Sequence, residues 1–372
     1  MTTFRLPGIG DYRCLGAPAL PADSASFTNR VAFAAAHVVA DPAADSTSTV
    51  DWTATLRFRH HLWSLGLGVA EAMDTAQRGM GLTWDNAREL IQRSGAEAAS
   101  VGGKLACGAG TDQLTGPATV PEVLAAYEEQ IELVEAAGAQ VILMASPALA
   151  AAARGPEDYL AVYGKLLAQT KDPVILHWLG PMFAPALSGY WGSADLDVAT
   201  DTLLELLHAN ASKVDGVKLS LLDADRERTL RAALPDGVRM YTGDDFNYAD
   251  LIAEGSDALL GIFDPIAPIA SAALRALDDG DDVRYAELFA PTIELSRLLF
   301  AEPTYHYKTG VVFLAWLTGH QDHFLMVGGQ QGARSLPHLA KVFVLADRAG
   351  LFTDPDLAAD RLRQLLSVAG LL

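Results

Sequence analysis

From about position 30 onward, short apolar runs alternate with longer stretches whose apolar residues recur every three to four positions. The first pattern is that of buried strands, the second that of amphipathic helices. The runs predict strands over 31–39, 67–73, 103–107, 141–145, 174–178, 216–220, 238–242 and 258–263. Between and after them the spacing predicts helices over 52–65, 84–93, 121–137, 156–167, 195–208, 225–233, 248–254 and 265–277. Strand-then-helix units repeated in this way predict an α/β fold, a (β/α)8 TIM barrel of ordinary size. A doubly wound open sheet is the competing arrangement, and it usually carries a nucleotide-binding fingerprint after the first strand. Gly66-Leu67-Gly68 and Gly108-Ala109-Gly110 both lack the third glycine, with Glu71 and Gln113 at that spacing.

After Leu277 the pattern changes. Asp278-Asp279-Gly280-Asp281-Asp282 reads as a charged turn, and helices without strands follow over 283–300, 307–317, 335–349 and 355–366. The chain thus divides into an irregular, wrapping N-terminal arm (1–29), a barrel (30–280) and a C-terminal helical extension (281–372). Composition narrows the partners. With 27 basic and 46 acidic residues the formal charge is −19, which argues against nucleic acid and anionic membrane. Cys14 and Cys107 are too far apart and too few for a disulfide framework or a thiolate metal site. No apolar run reaches transmembrane length, no secretory signal is evident, and cytoplasm is the expected compartment.

In such barrels chemistry sits where strands end and βα loops begin. Those ends carry polar residues, His37 among them, and N-caps and Asx turns would explain Asp112, Ser146, Asp245 and Asp264. Lys218 and His177 escape that explanation because each lies within its strand. Period-2 alternation puts Gly216, Lys218 and Ser220 on one strand face. A lysine inside a strand is costly to bury as an ammonium, so its pKa falls and its amine becomes available for imine chemistry. His177, one βα unit earlier, falls beside it on the neighbouring strand and suits general acid–base work. Two further stretches are dense in polar groups. Over 70–79, Glu71, Asp74, Thr75 and Arg78 offer substrate contacts, the alternative being a loop salt bridge between Arg78 and Asp74. Over 241–248, Asp244 and Asp245 would repel a phosphate and suit a hydroxyl-rich, non-phosphorylated substrate.

These residues resemble the dihydrodipicolinate synthase/N-acetylneuraminate lyase superfamily of class I aldolases. Val214-Asp215-Gly216-Val217-Lys218 is similar to its strand-six pattern, with Lys218 at the imine position. The segment from Val174 to Pro181 is similar to its strand-five segment, with His177 where the family has a tyrosine. Gly243-Asp244-Asp245 resembles the Gly-Asp-Asp after strand seven, and the C-terminal helices resemble its three-helix extension. More closely, the chain resembles an uncharacterised, dihydrodipicolinate-synthase-like branch. The family's strand-two Gly-Thr-Thr-Gly-Glu, which holds a keto-acid carboxylate, has no counterpart in the stretch from Gly68 to Thr75. The resemblance implies a cofactor-free aldolase or lyase forming an imine on Lys218, with His177 shuttling protons. The substrate would be a non-phosphorylated keto-acid or, given the missing motif, a keto-sugar, held by Glu71, Asp74, Thr75, Arg78, Ser220, Asp244 and Asp245. It also implies a homodimer or homotetramer.

Two rivals remain at this stage. A divalent-metal isomerase or class II aldolase would use Glu71, His177 and Asp244 or His37 as ligands. A non-catalytic, metabolite-binding barrel would leave the Lys218 pKa near about 10.4. Tyr305-His306-Tyr307-Lys308 reads as a subunit contact, with a lid as the alternative.

Overall fold

The structure, a computed structural model, describes residues 3–371. Among them eight parallel strands close into a barrel in chain order: β1 (Ala32–Ala35), β2 (Gly68–Glu71), β3 (Leu105–Ala109), β4 (Gln140–Met144), β5 (Val174–Leu179), β6 (Val214–Ser220), β7 (Arg239–Thr242) and β8 (Asp257–Leu260). The strand β8 pairs with both β7 and β1, which leaves no open edge. The main returning helices are α1 (Trp52–Ser64), α2 (Trp84–Val101), α3 (Val120–Ala136), α4 (Pro156–Gln169), α5 (Leu196–Asn210), α6 (Ala224–Ala233), α7 (Tyr248–Ala253) and α8 (Ala267–Asp278). Because helices cover the outer face and side chains fill the inner one, the strands read as continuous apolar runs.

The barrel interior explains where a site can lie. Phe33, Ala35, Ala70, Ala106, Ile142, Ile175, Tyr241 and Leu259 form an inner cluster separate from the main core. Tyr241 points down the barrel and donates to Asp215 Oδ2 at 2.6 Å. A side chain at Gly216 would meet the Tyr241 ring at 2.6 Å, so this glycine makes room for the plug. These side chains fill the lower interior.

Two strands are shorter than their apolar runs. The strand β1 ends at Ala35 because the backbone beyond it turns to other partners: His37 N–H donates to Asp264 Oδ2 and Val39 N–H to the Thr55 hydroxyl. The strand β8 ends at Leu260, and Ile262 N–H donates to Asp245 Oδ1. A short helix, Pro147–Ala152, also appears after β4, capped by Ser146.

The N-terminal arm is not irregular throughout. Thr3–Leu6 and Gly10–Arg13 pair as an antiparallel hairpin, with Gly8 and Gly10 supplying the positive φ of its turn. Phe4 and Leu6 bury the inner face. The extension comprises α9 (Asp282–Leu299), α10 (Tyr307–Leu317), α11 (Leu336–Arg348) and α12 (Pro355–Val368). All eleven residues of α10 are buried, so it is a core helix rather than a surface one. No helix among the described residues is long and apolar enough to cross a membrane.

Asp347 on α11 ties the arm to the extension. Its carboxylate accepts from the Tyr12 hydroxyl (2.7 Å), the Cys14 thiol (3.2 Å), Leu15 N–H (2.7 Å) and Gly16 N–H (3.0 Å). Burial, then the hydrogen bond and charge of Asp347, push the Cys14 thiol up to about 12, so it stays protonated. Replacing Asp347 by Ala strands these donors and is expected to cost on the order of 3 kcal/mol. Denaturant unfolding checks this. An unshifted midpoint would show that the clamp does not stabilise the fold.

Candidate active site

In-register pairing of β5 with β6 sets His177 beside Lys218 and Leu179 beside Ser220. Ile175 packs in the barrel interior, and period 2 then carries His177 on β5 to the same inner face. Lys218 and His177 are 5% and 1% exposed. A Cβ at Gly243 would meet Ser220 Oγ at 2.2 Å and Lys218 Cε at 3.0 Å, so this glycine leaves the channel for the lysine. His177 Nε2 lies 3.2 Å from Ser220 Oγ, while its Nδ1 has no hydrogen-bond partner among the described residues.

Burial pushes the Lys218 amine down from its ordinary value, and the carboxylates of Asp74 and Asp245 pull only partly the other way. Burial, then the charge of Lys218, holds His177 well below the usual imidazole range, with Asp74 opposing. The result is a less basic amine beside a neutral imidazole. The two nearby carboxyls are driven apart. Burial raises Asp245 to about 8, against the opposing effects of the Ile262 N–H and Lys218. Burial would raise Asp74 as well. Lys308, Lys218, His177 and the Tyr307 hydroxyl outweigh it and hold Asp74 below the usual carboxylate range. Tyr307 donates to Asp74 Oδ2 at 2.8 Å, and Thr75 Oγ1 lies 2.7 Å from the Tyr307 oxygen. One protonated and one ionised carboxyl beside an amine and an imidazole make a set of acid and base assignments.

Lys218, His177, Ser220, Asp74, Thr75 and Asp245 therefore meet at the C-terminal end. Glu71, Arg78 and Asp244 are directed elsewhere. The strand β2 places Ala70 inward, so Glu71 faces outward. There Arg59 grips it bidentately at 2.7 and 2.8 Å, and Ser94 donates at 2.6 Å. Arg78 pairs with Asp112, not Asp74, and also donates to the Gly108 carbonyl (2.7 Å) and Gln130 Oε1 (2.7 Å). Asp244 shapes its own turn, accepting from Phe246 N–H (2.9 Å), Asn247 N–H (3.1 Å) and Asn247 Nδ2 (3.0 Å). His37 Nδ1 lies 2.8 Å from Asp264. The ligand set of the metal reading is thus dispersed. Among the described residues no three His, Cys, Asp or Glu side chains group in a way that could hold a metal ion.

Within the 305–308 segment Tyr307 and Lys308 lie inside the chain's own fold, while Tyr305 and His306 are half-buried. Tyr307 and Lys308 are 2% and 3% exposed, and the Tyr307 hydroxyl joins Asp74 across 233 residues of sequence. Phe300 stacks on Tyr307 at 4.3 Å and Phe183 approaches its ring at 6.2 Å. The signal for these residues was a polar quartet opening a helix that is otherwise almost wholly apolar. Two surface clefts, about 470 and 360 Å³, lie at the opposite, N-terminal end of the barrel, near Lys104 and Asp215. They hold neither Lys218 nor its partners.

Asp245 gives a pH test. In the unfolded chain it releases its proton near pH ~3.9, in the folded protein near about 8. The folded state therefore holds the extra proton between those values, and its stabilising effect is lost as pH rises through about 8. Glu227, raised to about 7 by burial, acts similarly at lower pH. Between about pH 7 and 9 the wild-type Tm is expected to fall, and Asp245→Asn to flatten that slope. Equal slopes would contradict the assignment.

A family model described as "Protein of unknown function (DUF993)" matches residues 7–371. No curated protein matches the chain. Solved structures with a similar fold include dihydrodipicolinate synthase from Aquifex aeolicus, at 15% identity and TM-score 0.63 over 92% of this chain and 98% of that one. YagE, a prophage protein of the dihydrodipicolinic acid synthase family from E. coli K12, in complex with pyruvate, gives 13% and 0.68 over 87% and 99%. The 4-hydroxy-tetrahydrodipicolinate synthase from Methylacidiphilum fumariolicum SolV gives 18% and 0.67 over 91% and 99%. At these identities the likeness is one of fold.

Proposed function

The chain belongs to the DUF993 family, and we propose that it is a Schiff-base lyase or aldolase acting through Lys218. The observation that carries this is the burial of Lys218 beside His177 in register across β5 and β6, with burial lowering the basicity of both and the carboxylates of Asp74 and Asp245 bearing on the amine. The dihydrodipicolinate synthase fold supports the reaction type, and YagE with its pyruvate supports a 2-keto acid among the carbonyl substrates. A keto-sugar is the other class considered. A homo-oligomer, dimer or tetramer, acting in the cytoplasm belongs to the same proposal.

The chemistry follows from the protonation states. The Lys218 nitrogen attacks the carbonyl carbon to give a carbinolamine. Asp245 protonates its hydroxyl, water leaves, and the nitrogen becomes a cationic imine, with Asp74 as counter-charge. The unpartnered Nδ1 of His177 takes a proton from a substrate hydroxyl. The C–C bond then breaks, and its electron pair moves through the new double bond to the imine nitrogen, giving an enamine. Protonation at carbon and addition of water release the product and restore the amine. In dehydration the imine instead acidifies the neighbouring C–H: a base takes that proton to give the enamine, whose electron pair then expels the hydroxyl of the next carbon, which leaves as water with a proton from a protein acid.

Borohydride reduction in the presence of keto-acids and keto-sugars, followed by peptide mapping, tests the proposal. A reduced adduct on Lys218 is expected, absent in Lys218→Met and indifferent to a chelator. His177→Ala is expected to lower kcat by about 10²–10⁴ while still permitting adduct formation. No adduct with any carbonyl, together with chelator-sensitive turnover, would overturn the imine reading.

A further inference from the structure

Lys218 is covered on every side. It is 5% exposed, and His177, Asp245, Thr75 and Tyr307 around it are buried as deeply. The two surface clefts lie at the other end of the barrel and hold none of these residues. A small carbonyl compound therefore reaches the Lys218 nitrogen only when part of the cover moves. Most of the cover is fixed. Tyr307 opens a wholly buried helix and stacks on the buried Phe300. Arg78 is pinned by Asp112, Gln130 and two backbone carbonyls.

Gly79-Met80-Gly81, the tip of the β2 loop, is built differently. It runs from the pinned Arg78 to the buried Leu82, and its own residues are exposed or half-buried. Both glycines have positive φ, 73° and 123°, so the backbone on either side of Met80 is in a region that side chains rarely occupy. Met80 is lightly held. Its N–H donates to the Gln77 carbonyl at 2.9 Å, and its carbonyl accepts from Gln77 Nε2 at 3.2 Å. Its sulfur, a weak acceptor, lies 3.4 Å from Lys308 Nζ. From there the contacts lead inward. Lys308 Nζ lies 4.8 Å from the Tyr307 ring centroid, Tyr307 donates to Asp74 at 2.8 Å, and Asp74 bears on Lys218.

The other neighbour of the tip is the segment Val327–Ala333 of the C-terminal extension. A Cβ at Gly81 would come within 2.7 Å of the Val327 carbonyl oxygen, and one at Gly328 within 2.8 Å of Gly81 Cα. This seam is backbone against backbone, closed because two side chains are missing. We propose that Gly79-Met80-Gly81 is a gate to Lys218, with Met80 as its stopper, the two glycines as hinges and the Gly81–Gly328 seam as its latch. A swing of the tip uncovers Lys308 first and the pair of Asp74 and Lys218 behind it. It gives up the two Met80–Gln77 hydrogen bonds and the thioether contact, a small set of the kind broken in local opening. Gln77 itself stays in place, fully buried and bonded to the Val327 carbonyl at 2.7 Å. The purpose of the gate rests on the reading of Lys218 as the reacting amine, whereas the motion does not.

Acetylation of the full-length protein by acetic anhydride, followed by peptide mapping, reads the gate without any substrate. Labelling at Lys218 and Lys308 is compared with that at Lys171, whose side chain is 74% exposed. In wild type both are expected to label at least about tenfold more slowly than Lys171. Met80→Ala removes the stopper and Gly328→Ala wedges the seam, and each is expected to speed both sites about tenfold with Lys171 unchanged. Asp347→Ala, which weakens the fold through the N-terminal arm, is expected to leave both sites slow. Thermal unfolding shows whether each variant folds, and Met80→Ala decides alone if Gly328→Ala does not. Wild-type labelling of Lys218 as fast as that of Lys171 would overturn the closed state. Gains in Met80→Ala no larger than in Asp347→Ala would overturn the gate, and in both cases the imine reading stands. Faster labelling in Met80→Ala without any borohydride-trapped adduct would uphold the gate and remove the imine.

Discussion

The desolvation of one amine on one strand is the constraint around which the rest of the chain is arranged. An ammonium at the Lys218 position has almost no water around it, so the neutral form is favoured. That alone would give a buried base. Asp74 keeps a negative charge close by, ready for a cationic imine, because Lys308 and the Tyr307 hydroxyl help hold its carboxyl ionised. Asp245, a few residues after β7, is driven the other way because its neighbours stabilise its charge too weakly to offset burial. Amine, acid and counter-ion are therefore set by three different balances between burial and nearby charge.

The barrel supplies the geometry for this with unusually small residues. Gly216 makes way for the Tyr241 ring below, and Gly243 for the lysine stem above. The early termination of β1 and β8 serves the same end, since the freed backbone hydrogen-bonds the carboxylates of Asp264 and Asp245. The C-terminal extension is part of the site rather than an accessory. Its α10 brings the Tyr307 hydroxyl to Asp74, and its α11 is tied through Asp347 to the N-terminal arm.

Much of this was legible in the sequence where a signal was local. The period of the apolar runs gave the closed barrel, and the in-strand positions of Lys218 and His177 marked them as anomalous. What was not legible depended on parity or on distance along the chain. A one-residue step separates the inward Ala70 from the outward Glu71, and a carboxylate at a strand end looks the same on either face. Arg78 had a carboxylate four residues away in Asp74, but its folded partner is Asp112, 34 residues on. Tyr307 and Lys308 reach the chamber by a contact that no local pattern encodes. The hairpin of the arm was hidden because its strands are only four residues long, below the length at which alternation stands out.

The central claim is that burial makes the Lys218 amine less basic than that of a free lysine. Its pKa is directly measurable by titrating methyl-labelled lysines in NMR, with Lys218→Met identifying the resonance. A value well below the ~10.4 of a free lysine is expected, falling further in Asp74→Asn, where a stabilising negative charge is removed. A value at or above about 10.4 would contradict the burial argument and leave Lys218 a structural ammonium.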